Sequence, residues 1–298
     1  MGSLPGRHLV VGATGALGGA IATKLLDHGA VVRGMSRDPA RLAGLAARGA
    51  EPVVGDLGNS TSLDRACAGV TQIVSTANSF MGSGRTSPTR VDLAGYQRLL
   101  DAARGAGVTR IVHVSASGVS LDSAVDYFRV KAQVDDVIRR SGLPYVLLKP
   151  AAFLDVWVNM VLQEVNAGRP ARIFGDGTRT TCYIATEDVA EFAVRILALG
   201  DVVNEEIEVG GPSSLSQNQL VDVIETSLGV RIRRQKIPRS VLRAAAVVLR
   251  PFNELLARLM SLGAWSASAD HLVADWHGPA MRFGVQPMTA EAFLRPRV

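Results

Sequence analysis

The sequence predicts an α/β fold. A doubly wound parallel sheet spans residues 1–150, and a smaller, mainly helical lobe spans residues 151–298 and returns elements to the sheet. Three observations carry this. Apolar, β-branched runs alternate with helix-period segments through the first half. The first run, His8-Leu9-Val10-Val11, feeds glycines at 12, 15 and 18 and then the apolar-periodic segment from Ala20 to Leu26. After Pro150 the alternation gives way to short strand-and-turn segments between helices.

In order, Met1 to Arg7 read as a short flexible leader. The second strand is Ala30 to Arg37. A short helix follows, with Asp38 as its N-cap and Pro39 at its first position. Pro52 to Leu57 is a third strand ending in an acid, and Ser62 to Ala68 a short helix. Gln72 to Ala77 is the fourth strand, Val91 to Ala106 a longer helix, and Arg110 to Ser115 the fifth strand. Val125 to Ser141 is helical, and Tyr145 to Pro150 is the sixth strand. Beyond it, strand-like runs lie at Ile173–Phe174, Ile207–Val209 and Arg231–Ile237, with helices from Thr186, from Ser216, and over Arg239–Leu262 with a break at Pro251.

The composition bounds the function. The 298 residues are 47% hydrophobic and 20% charged, enough apolar content for a full core and too much for a disordered chain. No apolar run reaches the ~18 residues of a membrane span, and the start shows no secretory h-region. The two cysteines, Cys67 and Cys182, have no metal-type neighbours and fit a reducing, cytoplasmic setting. The net charge is +5. Much of it lies in one segment holding Arg231, Arg233, Arg234, Lys236, Arg239, Arg243, Arg250 and Arg258, opposed there only by Glu254. No helix-turn-helix, zinc-finger or RNA-binding signature accompanies it, which argues against nucleic acid as the main partner.

A parallel sheet of this kind binds ligands outside the carboxyl ends of its strands. In the glycine turn, Gly12 allows the sharp bend, Gly15 lets backbone approach a pyrophosphate, and Gly18 lets the helix pack close to the strand. Free N–H groups at the helix start then face the phosphates. The strand-end rule names the candidates for a dinucleotide: Gly12, Thr14, Gly15, Ala16, Leu17 and Gly18, then Ser36 and Arg37, Asp56 and Leu57. Thr76, Ala77, Asn78, Ser115, Pro150 and Phe153 complete the series. An acid after the second strand would suit an unphosphorylated ribose. Here Arg37 stands there, with Arg33 and Arg41 nearby, and a guanidinium fork suits a 2′-phosphate, so the expected cofactor is NADP(H). Asp56 is placed either to accept from the adenine amino group or to cap a helix.

Tyr127 and Lys131 are four apart on the helix after the fifth strand and share a face. A free tyrosine titrates near ~10. An adjacent ammonium favours the phenolate and can also hold the nicotinamide ribose. A hydroxyl from the strand end, Ser115 or Ser117, can polarise a carbonyl beside it. His113, on a strand, reads as a satisfied structural histidine.

At these residues the chain resembles the short-chain dehydrogenase/reductase superfamily, and within it the atypical NmrA-like branch. The resemblance rests on VVGATGALGG at 10–19, RGMSRDPARL at 33–42 and VVGDL at 53–57. It continues through IVHVSASG at 111–118, Lys131, RRSGLPYVLLKP at 139–150 and TEDVAEFA at 186–193, about the first 210 residues in all. It implies a Rossmann-type fold, NADPH, and a substrate cleft under the C-terminal lobe. It gives Tyr127 the role of proton donor and Lys131 that of ribose binder. The serine departs from the wider superfamily's pattern, whose register falls on Ala116. NmrA-like members carry a serine where Ser115 stands, with Ser117 as the alternative.

In the C-terminal lobe, apolar residues from Val241 to Met260 recur at helical spacing with arginines between them. They are expected to form core helices or a helical lid over 239–265. An interfacial membrane helix is disfavoured by the break at Pro251. Phe153, Trp157, Met160 and Trp265 suit a broad, apolar, polycyclic substrate, with ketoreduction of an aromatic polyketide in secondary metabolism as one option. The expected activity is NADPH-dependent reduction of a ketone or quinone-type carbonyl, by a monomer or a homo-oligomer. Two alternatives stand beside it: a non-catalytic NADP-binding sensor, and a nucleotide-sugar epimerase.

Overall fold

The computed structural model describes residues 4–295. Its first half runs β1 (Arg7–Val11), α1 (Ala16–Asp27), β2 (Val31–Ser36), α2 (Ala43–Ala47), β3 (Glu51–Val54), α3 (Ser60–Cys67), β4 (Gln72–Ser75), α4 (Pro88–Gly105), β5 (Arg110–Val114), α5 (Asp126–Arg139) and β6 (Tyr145–Pro150). The second half runs β7 (Ala152–Phe153), α6 (Leu154–Asn166), β8 (Ala171–Phe174), β9 (Thr180–Ile184), α7 (Thr186–Ala198), β10 (Glu205–Val209), β11 (Ser214–Ser216), α8 (Gln217–Leu228), β12 (Arg234–Ile237), α9 (Arg239–Leu249), α10 (Glu254–Ser266), α11 (His277–Phe283) and α12 (Ala290–Leu294).

Among the described residues, seven strands form one sheet in the order β10-β6-β5-β4-β1-β2-β3. The pairs of β1 with β2 and β4, of β2 with β3, and of β5 with β4 and β6 are all parallel. The chain leaves β3 at one edge and re-enters beside β1 as β4, so the order reverses between β1 and β4. That reversal makes the crevice at which α/β sheets bind ligands. Leu9, Val10 and Val11 are fully buried, as a strand covered on both faces requires.

The chain divides into two compact units. One consists of the residues up to Leu121, with Tyr127–Lys149 and Val189–Ile207. In its core, Leu9, Ile73 and Ile111 from the strands meet Leu63, Leu99 and Ile138 from α3, α4 and α5. The other consists of Asp122–Asp126, Pro150–Asp188 and the residues from Glu208 on. Tyr183, Ile173, Leu220, Ile224 and Phe293 are central in its core. Its strands form a three-stranded sheet, β11-β9-β7, and a parallel pair, β12 with β8. The basic run after Arg231 is thus a sheet edge in part.

Several expectations shift. Arg7 already opens β1, while residues 1–3 lie outside the described residues. The third strand stops at Val54, and Asp56 sits in the following turn, where Oδ1 accepts from the Gly58 amide at 2.7 Å. The cap of α3 is Asn59, not Asp56, so that option for Asp56 falls away. Arg33 is withdrawn from any ligand. It is buried, with its guanidinium on the carbonyls of Arg65, Ala66 and Ala68 at the end of α3 and on Glu51. Arg110 serves the end of α7 in the same way, donating to the carbonyls of Ile196, Leu197, Leu199 and Val202. Buried guanidiniums here satisfy the orphan carbonyls and negative dipole ends of helices. Arg234 is likewise engaged by Asp222 and Glu225, so the basic segment is partly neutralised.

Candidate functional site

The glycine turn has the geometry its spacing predicts. Gly12 has φ +89°, which L side chains rarely adopt, and a Cβ on it would lie 2.9 Å from Thr76 Oγ1. A Cβ on Gly18 would lie 2.2 Å from the Gly12 carbonyl oxygen, so helix α1 starts against the strand end with no room for a methyl group. Gly15 caps α1 with no side-chain hydrogen bond, and Gly15 and Ala16 are exposed. The first-turn amides therefore point outward without an intrahelical acceptor. Such a helix start suits an anion.

The neighbouring strand ends are tied to this turn. The Thr14 and Ser36 hydroxyls lie 3.4 Å apart, and Ser36 Oγ accepts from the Asp38 amide. Arg41 donates to the Thr14 carbonyl, while Arg37 is exposed at the end of β2. Thr76 Oγ1 donates to the Val11 carbonyl at 3.3 Å, holding the end of β4 to that of β1. The Asn78 side chain folds back on the chain, donating to the Thr76 carbonyl and accepting from the Phe80 amide. Tyr96, fully buried in α4, shares a 2.7 Å bond with Ser75 and donates to the Ala77 carbonyl. Leu57 is buried and Ala77 half-buried. Pro150 closes β6. Phe153, half-buried, lies in β7, paired in register with Ile184 of β9 in the other unit's sheet.

On α5, Lys131 is buried and donates to the carbonyl of Val114, the last residue of β5, at 3.1 Å. Its ammonium lies 5.7 Å from the centroid of the Tyr127 ring. Tyr127 is itself buried and meets the Phe80 ring edge-on at 4.8 Å. Tyr127, Lys131 and the end of β5 are thus brought together, as the four-residue spacing predicts.

Ser115 is also there, buried, but its hydroxyl donates to Asp135 Oδ2 at 2.8 Å. Asp135 is fully buried, and no motif in the sequence marks it. Its position four residues after Lys131, on the same helix face, is the one signal available there. The cluster around it comprises His113, whose Nε2 lies 3.9 Å from Oδ1, and Lys149, 3.9 Å from Oδ2. Burial pushes the Asp135 carboxyl up, opposed by the Ser115 bond and by Lys131 and Lys149. Burial pulls the Lys131 ammonium down, opposed by Asp135 and Asp92. His113 is held well below its ordinary value by burial and then by Lys131, so its ring is neutral near pH 7. The expectation that it is satisfied fails: neither ring nitrogen has a hydrogen-bond partner, and its ring packs edge-on against Tyr96.

Trp157 and Trp265 both have ring partners. Trp157 packs against Phe174 and Tyr183, and Trp265 stacks on His271 with centroids 3.6 Å apart. Among the described residues no group of three or more His, Cys, Asp or Glu side chains is arranged to hold a metal ion.

Residues 12–199 match the profile of an NAD(P)H-binding family. The chain belongs to this NAD(P)H-binding family. Its fold is the Rossmann-type α/β fold of NAD(P)-binding reductases. Among its relatives, photosystem II assembly factor Ycf39 of Cyanophora paradoxa is 28% identical over 240 residues, covering 80% of this chain and 73% of that protein. The (4-alkanoyl-5-oxo-2,5-dihydrofuran-3-yl)methyl phosphate reductase of Streptomyces griseus is 29% identical over 244 residues, covering 82% and 81%. The NADPH-dependent quinone oxidoreductase of Escherichia coli, solved with NADPH, shares the fold. Its TM-score is 0.80 at 18% identity, over 98% of this chain and 99% of that one.

The residues present fit the cofactor. The uncapped start of α1, the two glycine positions closed to a methyl group, and the exposed Arg37 supply what a phosphorylated dinucleotide needs. Among the described residues no helix is long and apolar enough to cross a membrane.

Proposed function

We propose that the chain is an NADPH-dependent reductase acting on a ketone or quinone-type carbonyl of a bulky, apolar substrate. The observation that carries this is the pairing of buried Tyr127 with Lys131 at the end of β5, in the unit that holds the glycine turn. The reductase names among its relatives and fold neighbours support it.

When bound, NADPH would supply the hydride for the carbonyl carbon. As that C–H bond forms, the carbonyl π pair moves to oxygen, and the Tyr127 hydroxyl gives its proton there. The phenolate left behind is stabilised by the Lys131 ammonium and recovers a proton from solvent. Lys131 would also hold the nicotinamide ribose. Ser115 keeps lone pairs but donates its proton to Asp135, so it polarises a substrate oxygen only by turning its hydroxyl away. Ser117, half-buried two residues on, is the second candidate. Arg37, with Arg41 beside Thr14, favours NADPH over NADH through the 2′-phosphate.

The test is NADPH oxidation against a panel of quinones and polycyclic ketones. Tyr127→Phe is expected to lower kcat by about 10²–10⁴-fold with NADPH affinity unchanged. Full activity in that variant removes Tyr127 from the mechanism and leaves the reductase standing. A second reading, an NADP(H)-binding protein that acts through a partner without turnover, is supported by the likeness to a protein named as an assembly factor. NADPH binding with no oxidation across the whole panel would select it.

A further inference from the structure

We infer that the helical hairpin α9–α10 is a docking surface for an anionic lipid bilayer. The buried side of α9 is Leu242, with Ala245, Ala246 and Leu249 half-buried beside it. With 3.6 residues per turn, Val241, Ala244 and Val248 share another face, which is exposed. Val248 is 64% exposed, and Phe252, in the turn between the helices, is 84% exposed. Arg239, Arg243 and Arg250 form a third stripe, also exposed, and the exposed Val247 lies between it and the apolar face.

An exposed apolar stripe bordered by arginines is the pattern of a helix lying in a membrane interface. The break at Pro251, expected to spoil such a helix, instead turns the chain so that Phe252 projects at the tip. Charge decides the occupant. The only acid from Arg239 to Ser266 is Glu254, which is half-buried. A second copy docking through the same face would bring arginine stripes together with no exposed carboxylate between them, since a two-fold interface is self-complementary. Anionic headgroups neutralise the arginines, and acyl chains cover the valines and Phe252.

The test is co-sedimentation of the full chain with phosphatidylcholine vesicles, with and without phosphatidylglycerol. Variants are the double Val248→Asp/Phe252→Asp and the double Arg243→Gln/Arg250→Gln. All these side chains are exposed, and NADPH affinity and far-UV circular dichroism check the fold independently of any catalysis. Binding to the anionic vesicles is expected, weakened by salt, and reduced more than about tenfold by the aspartates. The arginine pair is expected to lower it on the order of 25-fold. No binding to anionic vesicles, or binding that both doubles leave unchanged, overturns the proposal. So does a concentration-dependent dimer that the aspartates dissociate, which would assign the face to a second copy. The reductase reading survives any of these results.

Discussion

Asp135 offers the sharpest test of how the site is held. Its carboxylate is fully buried, accepts from Ser115 at 2.8 Å, and is one of two acids that oppose the effect of burial on Lys131. Two accounts of its role differ in a measurable way. If the cluster is held as an ion pair, neutralising one partner strands the other, at a cost of about 3–5 kcal/mol. The net direction at Asp135 argues otherwise. Burial outweighs the favourable partners and raises its folded value above 3.8. A raised carboxyl stabilises the folded state at low pH, and that contribution is lost as pH rises from the unfolded value through the folded one. At neutral pH the buried charge therefore works against the folded state. An Asp135→Asn variant keeps an acceptor for Ser115 without that penalty.

Asp135→Asn is accordingly expected within about 1 kcal/mol of the parent protein at pH 7, and Asp135→Ala lower than Asp135→Asn by roughly 1–3 kcal/mol for the orphaned Ser115 hydroxyl. Urea unfolding measures both. Equal stabilities for the two variants would show that the Ser115 bond contributes nothing. A loss above about 3 kcal/mol in Asp135→Asn would restore the ion-pair account. Both variants remove a group that raises the Lys131 ammonium, so the alkaline limb of kcat/KM is expected to move to lower pH in each. An unmoved limb would refute the coupling.

Other expectations are as specific. Arg37→Ala should weaken NADPH by roughly 10–100-fold and leave NADH unchanged, measured by fluorescence titration; equal losses for both would remove Arg37 from the 2′-phosphate. Gly18→Ala places a methyl group 2.2 Å from the Gly12 carbonyl and should abolish NADPH binding or folding, whereas Gly15→Ala, whose Cβ meets only that oxygen at 3.4 Å, should fold. Thermal unfolding with and without NADPH separates the two cases. His113 is held neutral by burial, so the unfolded chain takes up the proton first. Stability should fall as pH drops below about 6.5, by up to about 1.4 kcal/mol per pH unit from this residue. His113→Phe should flatten that slope, and an identical slope would contradict the buried-neutral assignment.

What is legible in the sequence follows from local chemistry. Glycines at 12, 15 and 18 between an apolar strand and an apolar helix leave few other conformations, and Tyr127 and Lys131 share a face because a helix repeats every 3.6 residues. Ser115 is legible as a position but not as a bond. Its partner lies twenty residues on, and a hydroxyl takes the nearest strong acceptor that packing brings to it. Arg33 shows the converse. In sequence it is one more arginine near Arg37, yet it lies inside β2 rather than past its end and turns to the carbonyls that finish α3.

From its amino acids alone, then, the chain dictates an alternating α/β sheet, the glycine turn that opens α1, and the pairing of a phenol with an ammonium. These depend on neighbours within a turn or two of each other. Folding alone assigns Arg33 and Arg110 to helix ends, commits the Ser115 proton to Asp135, and leaves the valines of α9 outside while Leu242 goes in. Those outcomes turn on which buried group finds a partner across long stretches of sequence, and desolvation makes that choice only once the core has closed.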